Sequence, residues 1–239
     1  MVANDPDAGQ IGSFSIISGN TNGTFVINPS NGVITVSNSN GLNFENTQTF
    51  TLTVQVQDDG AGSLSSQANV TINVVNINEP PLVNNQSYSV LENSPNGTIV
   101  GSFSASDPDA GQTLAYSILS GNINNDFVIN ATTGVITVAN SLNLNYETTT
   151  SFSLLINAQD NGNGNLSSQG VATITLIDQN EPPSIGNQQF SVNENSGNGT
   201  FVGNVLATDP DLGQNISFSI ISGNTDNAFG INASTGTIS

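Results

Sequence analysis

The 239-residue chain carries 18 Asp and Glu residues, no Lys, Arg or His, and no Cys, for a formal net charge of −18. These absences exclude Ser-His-Asp and Cys-His nucleophile pairs, imidazole and thiolate metal sites, disulfides, a Walker loop and a phosphate-binding surface. Oxygen is the ligating atom on offer, which suits hard cations such as Ca²⁺, and carboxylates brought together in a compact state need positive charge from outside.

Met1 leads straight into Val2-Ala3-Asn4-Asp5, which has the look of a repeat interior, so a fragment of a longer chain is expected. No run approaches the ~18 apolar residues of a membrane span. Asp5-Pro6-Asp7 recurs as Asp107-Pro108-Asp109 and Asp209-Pro210-Asp211, a step of 102 residues each time (107 − 5 and 209 − 107). Leu42-Asn43-Phe44-Glu45 and Leu144-Asn145-Tyr146-Glu147 keep the same step, as do Asn78-Glu79-Pro80-Pro81 and Asn180-Glu181-Pro182-Pro183, and Glu92-Asn93-Ser94 and Glu194-Asn195-Ser196. Paired prolines end strand pairing and stiffen a linker, so each Asn-Glu-Pro-Pro marks a boundary. The expected division is a partial repeat at 1–80 without its first two strands, a complete repeat at 81–183, and a partial repeat at 184–239 that stops after its fourth or fifth strand.

Within 81–183 the predicted strands, in chain order, lie near 85–92, 98–106, 113–120, 126–130, 134–139, 150–159 and 170–178. Apolar residues alternate along them: Tyr88 and Val90; Leu114, Tyr116 and Ile118; Phe152, Leu154, Ile156 and Ala158; Val171, Ile174 and Leu176, with Leu155 out of phase. Period two marks half-buried strands, and turn residues such as those of Asn130-Ala131-Thr132-Thr133-Gly134 separate them. Seven short strands in about 100 residues predict an all-β chain of tandem immunoglobulin-like β-sandwiches, arrayed end to end into an elongated particle.

Strand counting places the acids. If successive strands alternate in direction, the second and sixth finish at one end, with Asp107, Asp109 and Asp160. The first, third, fifth and seventh finish at the other, with Glu92, Glu147, Asp178 and Glu181. End-to-end stacking then brings these four against Asp209 and Asp211, a charge that three divalent ions would neutralise. Only Asp59, Asp126 and Asp226 fall outside such recurring positions, and Asp126 is expected at the surface.

Simpler readings compete with this one. Asp-Pro-Asp alone is a common turn, and a lone Glu is usually a solvated acid. Paired carboxylates also serve glycosidases, but repetition at every junction argues against a single active site. The twelve-residue calcium loop is absent, since Ile118 stands where its final Glu would follow Asp107. The chain is therefore expected not to be an enzyme.

The run of Glu92-Asn93, Ala105-Ser106-Asp107-Pro108-Asp109-Ala110-Gly111, Phe127-Val128-Ile129-Asn130, Thr133-Gly134-Val135-Ile136, Leu144-Asn145-Tyr146-Glu147, Ala158-Gln159-Asp160 and Asp178-Gln179-Asn180-Glu181 resembles the cadherin repeat in its bacterial form. The resemblance covers essentially the whole chain and implies cadherin-like sandwiches with Ca²⁺ between them. Carried over position by position, it implies ligands at Asp5, Asp7, Glu45, Asp58, Asn78, Glu79, Glu92, Asp107, Asp109, Glu147, Asp160, Asp178, Asn180, Glu181, Glu194, Asp209 and Asp211. The chain departs from the family at Asn43, Asn145 and Asn76, where an acid is usual, and Glu79 and Glu181 replace a linker Asp; amide oxygens still ligate, so fewer or weaker ions are expected.

The function expected is a calcium-stiffened adhesion or spacer segment of a larger secreted or cell-surface bacterial protein. Weak oxygen-ligand sites of ~10⁻⁴–10⁻³ M need extracellular calcium. Partners would be calcium and other cell-surface proteins or glycans, without nucleic acid. The alternative is a carbohydrate-binding accessory module of a secreted enzyme, for which no Trp and three Tyr offer little aromatic platform.

Overall fold

A computed structural model describes residues 12–239. Two units divide it: Met1–Leu82 with Ser106–Leu114 and Gln159–Ser168, and Val83–Ala105 with Ala115–Ala158 and Gln169–Ser239. The division departs from the repeat boundary, because the Asp107 turn and the Asp160 loop group with the preceding linker. Among the described residues no helix is long and apolar enough to cross a membrane.

In the first unit, β1 (Ser13–Ser18), β4 (Thr49–Gln57) and β5 (Ser65–Asn73) form an antiparallel sheet in the order β1-β4-β5, and β2 (Phe25–Ile27) pairs with β3 (Ile34–Val36). Side chains alternate across a strand, so Phe50, Leu52 and Val54 of β4 all point inward and pack with Phe14, Phe25 and Ile27. Phe25 and Phe50 meet edge to face with centroids 5.1 Å apart.

The remaining strands are β6 (Leu82–Val83), β7 (Gln86–Leu91), β8 (Ile99–Ser102), β9 (Ala105–Ser106), β10 (Ala115–Ser120), β11 (Phe127–Ile129), β12 (Val135–Val138), β13 (Ser151–Gln159), β14 (Ser167–Ile177), β15 (Gly203–Asn204) and β16 (Thr237–Ile238). A four-stranded sheet in the order β10-β13-β14-β7 and a three-stranded sheet β11-β12-β8 enclose the second core. It comprises Val90, Phe103, Phe127, Ile136, Val138, Leu144, Leu154, Ile156, Ala172, Ile174 and Leu176. β7 runs parallel to β14, pairing Ala172 with Gln86 through Ile177 with Leu91. Both strands therefore finish at the same end, as strand counting requires.

All seven strands expected within 81–183 are present, with two differences. The second is split into β8 and β9, because Phe103 turns into the core and its N–H donates to the Gly134 carbonyl at 2.8 Å. Gly134 has φ +68, and a Cβ there would lie 2.1 Å from the Phe103 oxygen, so this turn needs glycine. In the seventh strand, Ile174 and Leu176 set the inward phase, which buries Ala172 and leaves Val171 on the other face. Leu155 lies on the outer face of β13, as its phase requires. Phe127 is buried against Phe152, with centroids 5.0 Å apart, so these rings are core and not a sugar-stacking surface.

The flanking pieces are less covered. In β5, Ala68, Val70 and Ile72 are exposed or half-buried, whereas their counterparts Gly170, Ala172 and Ile174 are buried. β7 flanks β14, and among the described residues no strand does the same for β5. In the stretch 184–239 Phe190, Val192, Phe201 and Phe229 are exposed, and its pairing is confined to β15 with β16 and single bridges of Ser184 to Thr208 and Ile231 to Ile238.

Candidate metal centres

The first centre lies within the first unit, where the linker that follows β5 meets the turn that follows β9 and the loop between β13 and β14. Pro108 holds the Asp107–Asp109 turn, and the Asp109 N–H donates to Asp107 Oδ1 at 2.9 Å. Asp109 is only 4% exposed. Its Oδ2 accepts from the Glu79 N–H at 2.9 Å and its Oδ1 from Asn76 Nδ2 at 2.8 Å. Asp160, also 4% exposed, closes its own loop by accepting from the Gly162 and Leu166 N–H groups at 3.0 Å each, and its Oδ2 accepts from Asn78 Nδ2 at 3.1 Å. Gln112 Nε2 in turn donates to Asn78 Oδ1.

Oxygens of Glu45, Glu79 and Asp109 converge within 4.8 Å of one another. Both Glu45 oxygens, Glu79 Oε2 and Asp107 Oδ2 are buried and lack a hydrogen-bond partner. Desolvation, and then the charges of Glu45, Asp109 and Asp107, hold the Glu79 carboxyl above the usual carboxylate range.

A second centre within the second unit repeats this construction. Glu92, which follows β7, is wholly buried; its Oε2 accepts from the Tyr146 N–H and its Oε1 from the Gln179 N–H, both at 2.8 Å. Asp211 is 6% exposed, its N–H donates to Asp209 Oδ1 at 3.0 Å, and its Oδ2 accepts from the Glu181 N–H at 2.9 Å. Two triads converge within 4.8 Å: Glu92, Glu147 and Asp178, and Glu147, Glu181 and Asp211. Glu147 Oε2, Glu181 Oε2 and Asp211 Oδ1 are buried without partners.

The Asp178 carboxyl, though largely exposed, is raised by partial desolvation and then by the charges of Asp211 and Glu92. Glu181 is raised by desolvation, Glu92 and Glu147, against which the Asn93 side-chain bond works. An oxygen-only donor set with buried, unbonded carboxylate oxygens fits a hard divalent cation: each such oxygen lacks the positive partner that burial demands.

Other expected ligands sit differently. Asp5 and Asp7 lie outside the described residues. Asp58 is half-buried, and its Oδ1 accepts from the Gly60 and Leu64 N–H groups at 3.1 Å each. Asn180 Oδ1 accepts from Gln214 Nε2 at 2.7 Å, and Glu194 is exposed and belongs to none of the triads. Asn43 and Asn145 close turns, accepting from the Asn46 and Thr148 N–H groups at 2.7 and 2.9 Å. The surface position expected for Asp126 is wrong: it is 2% exposed and accepts from Asn143 Nδ2 at 2.8 Å. Sequence reasoning singled out Asn76 for its amide oxygen, whereas its Nδ2 acts as a donor, and it missed Gln112, although the recurrence of Gly111-Gln112 as Gly213-Gln214 was a signal.

The raised carboxyls give a sign for pH dependence. Their folded pKa values exceed the unfolded ones, so the native state holds more protons across that window and stability falls as pH rises through it. Without divalent ions, the unfolding midpoint should therefore be higher near about pH 5 than near about pH 7. Asp178→Asn should shrink the difference. Calorimetry in chelator checks this, and a midpoint that falls on acidification across that interval would contradict it.

The model of the Cadherin domain matches residues 1–75, 86–177 and 188–239. Human "Protocadherin Fat 4" is 34% identical over 248 residues, covering 99% of this chain and 5% of that protein. Human "Protocadherin-23" is 34% identical over 251 residues (100% and 7%), and rat "Cadherin-23" 35% identical over 251 residues (98% and 8%). The chain thus spans less than a tenth of these relatives. All three are animal proteins, so the expectation of a bacterial relative is not met among them. The crystal structure of mouse cadherin-23 EC22-24 superposes with a TM-score of 0.73 at 26% identity, over 98% of this chain and 77% of that one. Protocadherin gamma B2 extracellular cadherin domains 3-6 give 0.66 at 23% identity, over 96% and 58%, a likeness of fold alone.

Proposed function

Because this chain belongs to the cadherin domain family, we propose that it is a calcium-stiffened adhesion or spacer segment of a larger protein. It is an extracellular or cell-surface segment. The observation that carries the reading is the pair of centres, each built by a linker laid over an Asp-x-Asp turn and each holding buried carboxylate oxygens without partners. In this reading 1–80, 81–183 and 184–239 are successive repeats. Glu45, Asn78, Glu79, Asp107, Asp109 and Asp160 serve one calcium centre, and Glu92, Glu147, Asp178, Asn180, Glu181, Asp209 and Asp211 the next. Asp5, Asp7, Asp58 and Glu194 take equivalent places at neighbouring junctions.

Calcium supplies the positive charge that the chain lacks, and it turns mutual repulsion at each linker into a cross-link that limits hinge motion. In this reading the two centres are structural and the segment serves adhesion or spacing, without a catalytic role. Its partners are calcium and other cell-surface proteins or glycans.

Small-angle scattering with and without calcium tests the proposal. Calcium should extend the particle and narrow its distance distribution, and chelator should reverse both. Asp209→Ala with Asp211→Ala should remove only the part due to the second centre. Identical scattering in both conditions would sink the spacer reading.

A further inference from the structure

We infer that the two centres hold different numbers of cations, because in the first the side-chain amide of Asn76 takes the place of one. The inference rests on the calcium reading above. Positions 76 and 178 are one repeat apart (178 − 76 = 102), as are 109 and 211 (211 − 109 = 102). Half of the local geometry is the same in both: the Glu79 N–H donates to Asp109 Oδ2 at 2.9 Å, and the Glu181 N–H donates to Asp211 Oδ2 at 2.9 Å.

The other oxygen differs. Asp109 Oδ1 accepts from Asn76 Nδ2 at 2.8 Å, whereas Asp211 Oδ1, on a side chain 6% exposed, is buried with no partner. Where Asn76 offers a donor, the second centre has Asp178, which offers another acceptor and joins Glu92 and Glu147 within 4.8 Å. A buried carboxylate oxygen needs a donor or a cation. The amide provides the donor at Asp109; Asp211 has no amide in that place, and Glu147 joins its triad to the one that Asp178 completes, which offers ligands to a cation from solution. The first centre, whose Glu45, Glu79 and Asp107 oxygens still call for cations, therefore takes one ion fewer than the second.

Calorimetric titration of calcium into the 239-residue chain tests this with reciprocal substitutions. Asp178→Asn should bind one ion fewer than the parent, and Asn76→Asp one ion more. If the parent binds calcium and neither substitution changes the stoichiometry, the amide replacement is wrong while the calcium reading stands. A parent that binds no calcium overturns both. Should Asn76→Asp fail to fold without calcium, Asp178→Asn decides alone, since it removes a charge and keeps the side chain's shape.

Discussion

Raising calcium from chelated to about 10 mM should increase the unfolding midpoint by roughly 10 °C. An ion that binds only the folded state stabilises it by RT ln(1 + [L]/Kd). With dissociation constants of about 10⁻⁴–10⁻³ M, as for extracellular oxygen-ligand sites, this is about 1.4–2.7 kcal/mol per ion. In a domain array of this size each kcal/mol moves the midpoint by about 2–4 °C, so two ions reach the stated shift. No Lys, Arg or His competes for these carboxylates, and both Glu45 oxygens, Glu147 Oε2 and Asp211 Oδ1 have no other partner. Magnesium should give much less, because it demands a tight octahedron. Differential scanning calorimetry decides: an unchanged midpoint in millimolar calcium would remove the metal from the account.

The second large effect is expected at Glu92. Its carboxylate is wholly buried and accepts from two backbone N–H groups far away in sequence, Tyr146 and Gln179, at 2.8 Å each. Hydrogen bonds to a charged acceptor contribute about 1.5–3 kcal/mol each, and truncation leaves both donors unsatisfied. Glu92→Ala should therefore cost roughly 3–5 kcal/mol even in chelator, where metal ligation contributes nothing. Relief of its repulsion with Glu147, Asp178 and Glu181 offsets part of that cost. Glu92→Gln keeps one acceptor and should lose about half as much. Urea unfolding in chelator measures both; an Ala variant within about 1 kcal/mol of the parent would show that Glu92 is a ligand and nothing more.

The sequence alone determined the repeat, the strands and the ends at which the acids gather. The 102-residue step is explicit in Asp5-Pro6-Asp7, Asp107-Pro108-Asp109 and Asp209-Pro210-Asp211. Period-two alternation fixes which face of β13 holds Leu154 and Ile156, and strand parity fixes that Glu92 and Asp178 finish together, as the parallel pairing of β7 with β14 shows. What sequence could not decide is which oxygens are left free. Asp109 and Asp160 are both acids beside a turn, yet Asp160 is satisfied by Gly162, Leu166 and Asn78, and Asp109 by Glu79 and Asn76. Asp126 looked like an isolated surface acid until Asn143 closed over it. A carboxylate's state depends on where N–H groups from distant segments come to lie, and those positions are set by packing between elements; local periodicity carries no record of them.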